Sequence, residues 1–247
     1  MTEVALAREV PLPRLVPALL SFVAGYVDIY TFLALFGLFV AQVTGSFVTA
    51  GAELVRHDPG IAGKVLAIIT FVLATAASAA LIRLARHRGW APLSMMLGLE
   101  FALLVVFCIL ILAGPELTSA DDRSGIIAGM FAAMAMGTQS VIVRLLMRGI
   151  PQTNVMTGNM TQIGVEAIDF LAAWLKCGRE PGNRESQREL STVRARLLTV
   201  LAIACGFLVG AACGAVSYAK AGLAGAPLAV VIVGALALWA VRREGKF

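Results

Sequence analysis

The chain has 247 residues, of which 59% are hydrophobic and 14% charged, and its mean hydropathy is +0.87. A soluble domain has about a quarter of its residues charged, so this composition excludes a soluble enzyme, a disordered chain and a disulfide-stapled secreted domain. The net charge of +5 comes from Lys and Arg in short loops between apolar runs, as in membrane proteins. We predict an all-α polytopic membrane protein that binds no nucleic acid.

The N-terminal residues are unlike a cleavable signal peptide, because acidic residues and three prolines occur at or before the start of the first apolar run. That run is long enough to span a bilayer, so we expect it to stay as the first transmembrane helix. The cysteines form no CxxC motif and no metal-ligand spacing with the two histidines. We therefore expect no disulfide, no metal site and no cofactor.

Six apolar runs are long enough to cross a hydrocarbon core about 30 Å thick, which takes roughly 20 helical residues. They are Leu15–Phe36, Val65–Leu84, Pro92–Ala113, Ser124–Leu146, Leu197–Ala219 and Leu223–Val241. Two further apolar stretches, Gly37–Val55 and Pro151–Leu175, are interrupted by Thr-Gly-Ser and Thr-Gly-Asn. Such residues favour turns and compete for backbone hydrogen bonds. We predict six full spans and two broken or re-entrant helices.

The two interrupted stretches also match each other at an offset of 113 residues. The shared pattern is Thr44, Gly45, Ser46, Gly51, Glu53 in the first and Thr157, Gly158, Asn159, Gly164, Glu166 in the second. A helix with a glycine and polar groups precedes each pattern, and two helices follow. We interpret this as an internal duplication, with repeats over residues 1–114 and 115–247.

The placement of Lys and Arg favours six spans over eight. With a cytoplasmic N-terminus, six spans place 16 of the 20 basic residues inside and 4 outside, whereas eight spans give 14 and 6. Each repeat then has three spans, an odd number, so the second repeat must be inverted relative to the first. Both termini are expected to be cytoplasmic.

The residues that carry these features also resemble a known family. They are Gly25-Tyr26-Val27-Asp28, Phe39 with Val43-Thr44-Gly45-Ser46, Met136-Gly137-Thr138-Gln139, and Thr153 with Val155-Met156-Thr157-Gly158-Asn159. Together they resemble the YoaK-like family of bacterial integral membrane proteins, a domain of unknown function. The resemblance implies the fold and a bacterial cytoplasmic-membrane location, but no substrate. Ser46 stands where Asn is usual; it keeps an oxygen but lacks the two donors of the amide, which weakens any polar contact there.

The two Thr-Gly-Ser/Asn motifs are the main candidates for a substrate-binding site: Thr44, Gly45, Ser46, Thr157, Gly158 and Asn159. Free backbone groups at a helix end inside a membrane must be satisfied by protein, ion, water or substrate. A helix restarting at Ser46 or Asn159 would point its positive end at an anion or a polar oxygen. The alternative is that these side chains only cap helix ends and bond to each other across the two repeats.

Two acidic residues lie deep in the predicted spans, Asp28 in the first and Glu100 in the third. An acid at that depth costs several kcal/mol unless it is paired, protonated or facing water. We predict that they carry a coupling proton or ion; the alternative is a carboxyl held neutral or bonded to a helix end. Gln139 is expected to bond either to substrate or to the Thr157 motif. Arg144 is expected to snorkel to the cytoplasmic end.

The remaining polar and small residues are expected to have structural roles. Glu53 and Glu166 lie two helical turns after their motifs, and we expect both to be interfacial and solvated. The ridge of Gly206, Gly210 and Gly214 lets helices approach closely, either within the chain or in a homodimer.

Discontinuous helices in inverted repeats are typical of secondary transporters, although that is an analogy of architecture. We therefore predict a transporter for a small polar or anionic solute in the lipid bilayer, possible alternatives being a passive channel or a non-transporting partner or sensor. The sequence has no phosphate loop, nucleophile elbow or HExxH motif, so we expect neither ATP-driven pumping nor an enzyme.

Overall fold

The computed structural model describes residues 15–180 and 182–244. This part of the chain forms eight α-helices, one 3-10 turn and no strand, which confirms the all-α class. The helices are α1 (Leu15–Ala34), α2 (Val43–Arg56), α3 (Ile61–Arg88), α4 (Pro92–Ala113), α5 (Arg123–Leu146), α6 (Met156–Arg179), α7 (Arg184–Ala221) and α8 (Pro227–Glu244), and the 3-10 turn is Gly222–Gly225. The stretch 1–14, where we expected no cleavable signal, lies outside the described residues.

Five of the described helices are long and apolar enough to cross a membrane: α1, α3, α4, α5, and α7 together with the 3-10 turn. Large apolar side chains on α3 and α7 are exposed, among them Leu73 and Leu208. A continuous apolar helix surface of this kind is stable against lipid rather than against water. The chain is therefore a helical membrane protein.

The sixth predicted span, Leu223–Val241, has a different structure. Its first residues belong to the 3-10 turn, and α8 that follows is 18 residues long and ends in three charged residues. The turn is held by two tyrosines of α1, because the Tyr26 hydroxyl donates to the Gly225 carbonyl at 2.8 Å and the Tyr30 hydroxyl donates to that of Gly222. Helix α8 consequently starts only at Pro227.

Helix α7 begins 13 residues before the predicted span Leu197–Ala219. The Asn183 side chain accepts the N–H of Glu185 at 2.9 Å and caps the helix start. Lys176 of α6 and Glu189 of α7 form an exposed ion pair at 2.8 Å. These polar contacts extend the helix beyond its apolar part.

Helices α1 and α5 occupy the centre of the protein, and two thirds of each apolar segment is buried. Helix α1 packs along α7, α5 packs along α3 and α4, and α4 also contacts α8. The first helix of each predicted repeat therefore packs along the third helix of the other. The two predicted repeats therefore interlock rather than lying side by side.

The glycine ridge of α7 faces α1 of the same chain. A methyl group at Gly210 would lie 2.1 Å from the carbonyl oxygen of Phe22, and methyl groups at Gly206 and Gly214 would lie 2.5 Å and 2.9 Å from other α1 carbonyl oxygens. Gly137 of α5 makes the corresponding approach to α3, where a methyl group would lie 2.9 Å from the Phe71 oxygen. The ridge is thus occupied within the chain and does not form the homodimer surface that the sequence left open.

The α1–α7 contact gives a direct test by substitution. We expect Gly210→Ala to lower the free energy of unfolding by about 1–3 kcal/mol, because the added methyl group forces the two backbones apart. Gly98→Ala in α4 is the matched control, since nothing lies within 4 Å of its added methyl group. Thermal unfolding of the purified protein in detergent should show a loss for the first variant only; equal midpoints would contradict this packing.

Candidate functional site

Two irregular segments connect helices in equivalent places: residues 35–42 join α1 to α2, and residues 147–155 join α5 to α6. We expected the interruption inside Gly37–Val55 and Pro151–Leu175, at the Thr-Gly-Ser/Asn motifs. Instead, both motifs lie in the first turn of a continuous helix, and the irregular backbone directly precedes them. The polar motif residues thus start the helices, a position that suits Ser, Thr and Asn.

Ser46 and Asn159 fold back onto the irregular segments. The Ser46 hydroxyl donates to the carbonyl of Phe39 at 2.7 Å and accepts its N–H at 3.2 Å. The Asn159 amide donates to the carbonyl of Gln152 at 2.7 Å. Both bonds span seven residues and connect positions related by the offset of 113. The two buried side chains hold their own segments in place, and neither caps its helix nor bonds to the other.

Asp28 holds the first segment from the side of α1. One carboxylate oxygen accepts the backbone N–H groups of Val40 and Ala41, both at 2.8 Å, and of Gln42 at 3.3 Å. The side chain is 2% exposed. Three N–H donors that the irregular backbone leaves free are thus satisfied by one acid. In this geometry Asp28 is a positioning residue for the segment.

Gln139 of α5 holds the second segment from inside the protein. Its amide nitrogen donates to the hydroxyl of Thr153 at 2.8 Å and to the carbonyl of Leu20 at 2.9 Å. The bond goes to Thr153, in the segment that precedes the Thr157 motif, rather than to the motif itself. Gln139 therefore joins α5, α1 and the second segment.

The two segments meet through Asn154. Its amide nitrogen donates to Ser140 Oγ of α5 at 2.7 Å and to the carbonyl of Ala41 in the first segment at 3.3 Å. Ala41 and Asn154 are separated by 113 residues, the offset that relates the two motifs. The segments therefore touch at equivalent positions.

An open cavity of about 420 Å³ lies between the starts of α2 and α6. Thr44 and Thr157, the first residues of the two motifs, both line it. Neither helix start receives a side-chain cap hydrogen bond. Gly45 instead packs against the ring of Phe39, and Gly158 is not among the lining residues. Two helix N-termini, each with a positive partial charge, thus open onto one space.

Sequence reasoning expected Arg144 only to snorkel to the cytoplasmic end, and it did not single out several other polar residues of the cavity, Gln152 and Asn154 among them. Arg144 lines the cavity as an exposed side chain and has no hydrogen-bond or ion-pair partner among the described residues. Gln152 and Asn154 also line it, and their side-chain oxygens are buried without a partner. The polar run at residues 151–154, directly before the second motif, is the signal that could have indicated the latter two.

Glu100 is fully buried in α4, and neither of its carboxylate oxygens has a partner in the described part of the chain. An unpaired carboxylate in such surroundings is very costly, whereas a protonated carboxyl is tolerated. Glu100 does not line the cavity. The two predicted coupling residues therefore have different surroundings: Asp28 accepts backbone N–H groups, whereas Glu100 has no partner in the described part of the chain.

Glu53 and Glu166 are ion-paired, so the expectation that both are solvated is wrong. Glu53 bonds to Lys64 of α3, whose side chain is 2% exposed, and Glu166 bonds to Arg196 of α7 at 2.9 Å. The cause is the helix that follows each motif helix, which presents a basic residue to the acid. Hydropathy along the chain does not report that pairing.

Metal-binding side chains are not clustered in the described residues, where no group of three or more His, Cys, Asp or Glu could hold an ion. The four cysteines are free: Cys108, Cys177, Cys205 and Cys213. The polar chemistry of the cavity therefore comes from backbone N–H groups, hydroxyls, amides and one guanidinium.

These observations define a helical membrane protein in which two helix starts open onto one cavity that contains polar groups. The chain belongs to the family described as "Protein of unknown function (DUF1275)", whose model matches residues 16–240. This match is consistent with the resemblance to the YoaK-like family. No curated protein and no solved structure matches the chain. Its function must therefore be argued from the site.

Asp28 allows the positioning role to be tested. We expect Asp28→Ala to lower the free energy of unfolding by about 3 kcal/mol or more, because three buried N–H donors lose their acceptor. Asp28→Asn keeps an oxygen at that position and should lose clearly less. Thermal unfolding in detergent at neutral pH measures both; an alanine variant as stable as the asparagine variant would contradict the positioning role.

Proposed function

We propose that the protein is a secondary transporter for small polar anions, with the cavity between the starts of α2 and α6 as the binding site. The observation that carries the proposal is the convergence of two uncapped helix N-termini on one cavity of about 420 Å³. Helix N-termini bind anions through free N–H groups and the helix dipole. Discontinuous helices place such ends at the substrate site of many transporters.

The charge of the cavity supports an anion rather than a cation. Arg144 is the charged residue in its lining, and no Asp or Glu is among the described residues that line it. A guanidinium and two positive helix ends attract carboxylate or another oxyanion. Thr44 and Thr157 supply hydroxyls at the mouths of the two helices.

We further propose that the two halves, residues 1–114 and 115–247, are inverted repeats that rock against each other. Three features support this: the exchanged packing of α1 on α7 and α5 on α3, the matched bonds of Ser46 and Asn159, and the contact between Ala41 and Asn154. In this proposal α8 is the sixth span and α2 and α6 are re-entrant. The 14 residues of α2 extend only about 21 Å, which is shorter than the hydrocarbon core.

The cytoplasmic membrane of a bacterium, with both termini on the cytoplasmic side, is the proposed location. The excess of basic residues on one side in the six-span arrangement supports this orientation. The cavity includes Arg144, near the end of α5 that would be cytoplasmic. In that orientation the cavity opens towards the cytoplasm.

A second candidate function is a solute-binding membrane protein that does not transport, such as a sensor. The observation that favours it is the engagement of both Asp28 and Gln139 in internal hydrogen bonds. The two functions differ in flux: a sensor binds solute without moving it. A passive channel would show flux that neither saturates nor depends on a gradient of a second ion.

Arg144 provides the first test of the binding site. We expect acetate, lactate, phosphate or sulfate to raise the unfolding midpoint of the purified protein, because a ligand bound only to the folded state stabilises it. Arg144→Met should abolish the shift. Arg83→Met is the matched control. Arg83 is exposed near the C-terminal end of α3, as Arg144 is near that of α5, but Arg83 does not line the cavity. An unchanged shift in the Arg144 variant would exclude this cavity.

Uptake of the stabilising anion into proteoliposomes then separates the candidate functions. A transporter should show saturable uptake that responds to an imposed pH gradient. Binding without uptake would favour the sensor, and uptake that does not saturate would favour the channel.

Glu100 is the better placed of the two acids for proton coupling, because its carboxyl group has no partner. We expect Glu100→Gln to abolish accumulation driven by a pH gradient, since the amide resembles a carboxyl group that cannot release its proton. Anion binding and the unfolding midpoint should change little. Accumulation at the wild-type level would remove Glu100 from the coupling mechanism. Loss of accumulation in Asp28→Asn but not in Glu100→Gln would assign proton coupling to Asp28.

A further inference from the structure

We infer that the anion bound in this cavity also carries a neutral hydrogen-bond donor, such as a hydroxyl or an amide N–H group. The inference rests on the proposed function and concerns the substrate class of the same site. It comes from two side-chain oxygens in the cavity lining, those of Asn154 and Gln152, that are buried and have no partner.

The Asn154 side chain is fixed in the orientation that leaves its oxygen free. Its amide nitrogen donates to the Ala41 carbonyl and to Ser140 Oγ. A backbone carbonyl can only accept, so the nitrogen must face Ala41 and the oxygen must point away from it. The residue is 4% exposed, and it lines the cavity. A buried acceptor without a donor is costly, and a donor placed there removes the cost.

Gln152 repeats the arrangement two residues earlier in the same segment. Its backbone carbonyl is fixed by the Asn159 amide at 2.7 Å, and its side-chain oxygen is buried without a partner. The two free oxygens therefore belong to one short, well-held stretch of chain. Because both residues line the cavity, we call them its acceptor side, and we call Arg144 and the helix starts its donor side.

The donor is expected to be neutral rather than an ammonium group. Arg144 and the two positive helix ends already repel a cation, and no acidic residue in the described lining offsets them. Asp28 directs its bonded carboxylate oxygen at the backbone of the first segment instead. A solute that is negative at one end and an uncharged donor at the other satisfies both sides of the cavity.

Three acids with the same carbon skeleton test this inference: lactate carries a hydroxyl, propionate carries no donor, and alanine carries an ammonium group. We measure their dissociation constants from the unfolding midpoint of the purified full-length protein at increasing ligand concentration. We expect lactate to bind roughly five- to tenfold more tightly than propionate, as for one additional hydrogen bond to a buried acceptor, and alanine to bind most weakly.

Variants assign the effect to the acceptor side. Gln152→Met should lower the preference for lactate over propionate, measured as the ratio of their dissociation constants, and Asn154→Leu should do the same if it folds. Equal binding of lactate and propionate, or tightest binding of alanine, would overturn the inference while leaving the anion site intact. The proposed function fails together with the inference under two conditions. None of the three acids raises the unfolding midpoint, and Arg144→Met leaves the response to the anions of the first test unchanged.

Discussion

The structure depends on how two irregular stretches of backbone are satisfied inside an apolar helical protein. Backbone N–H and C=O groups that leave a helix away from water need partners from elsewhere in the chain. Asp28 supplies one oxygen to three N–H groups of the first stretch, and Ser46 and Asn159 bond back to Phe39 and Gln152. With these bonds in place, α2 and α6 start at defined positions and their first turns remain open to the cavity.

Close approach of the central helices brings the two stretches together. Glycines of α7 allow α1 to pack at backbone contact, and Gly137 allows the same for α5 and α3. Because the first helix of each half packs on the third helix of the other half, the segments that follow α1 and α5 face each other. Asn154 then reaches Ala41 across the contact. The cavity therefore forms where the two halves meet, and its lining includes four pairs of equivalent residues, from Ala41 and Asn154 to Thr44 and Thr157.

Residue types alone do not indicate which polar side chains of the site form internal hydrogen bonds and which remain free. The most polar motif residues, Ser46 and Asn159, are used within the protein, and so are Asp28 and Gln139. The groups left free at the proposed site include Thr44, Thr157, Arg144 and two amide oxygens. A rigid, internally bonded shell thus holds a small number of free donors and acceptors, which is a common construction of selective binding sites.

The sequence by itself determined the membrane class, the positions of α1, α3, α4 and α5 to within a few residues, and the two motifs at which helices restart. Hydropathy and helix-start preferences depend on near neighbours, so they can be read along the chain. Only the tertiary structure decided that α8 starts late, that Glu53 and Glu166 are ion-paired, and that Arg144 and Asn154 line the cavity. These outcomes depend on side chains from other helices, and packing alone sets which residues meet across such distances.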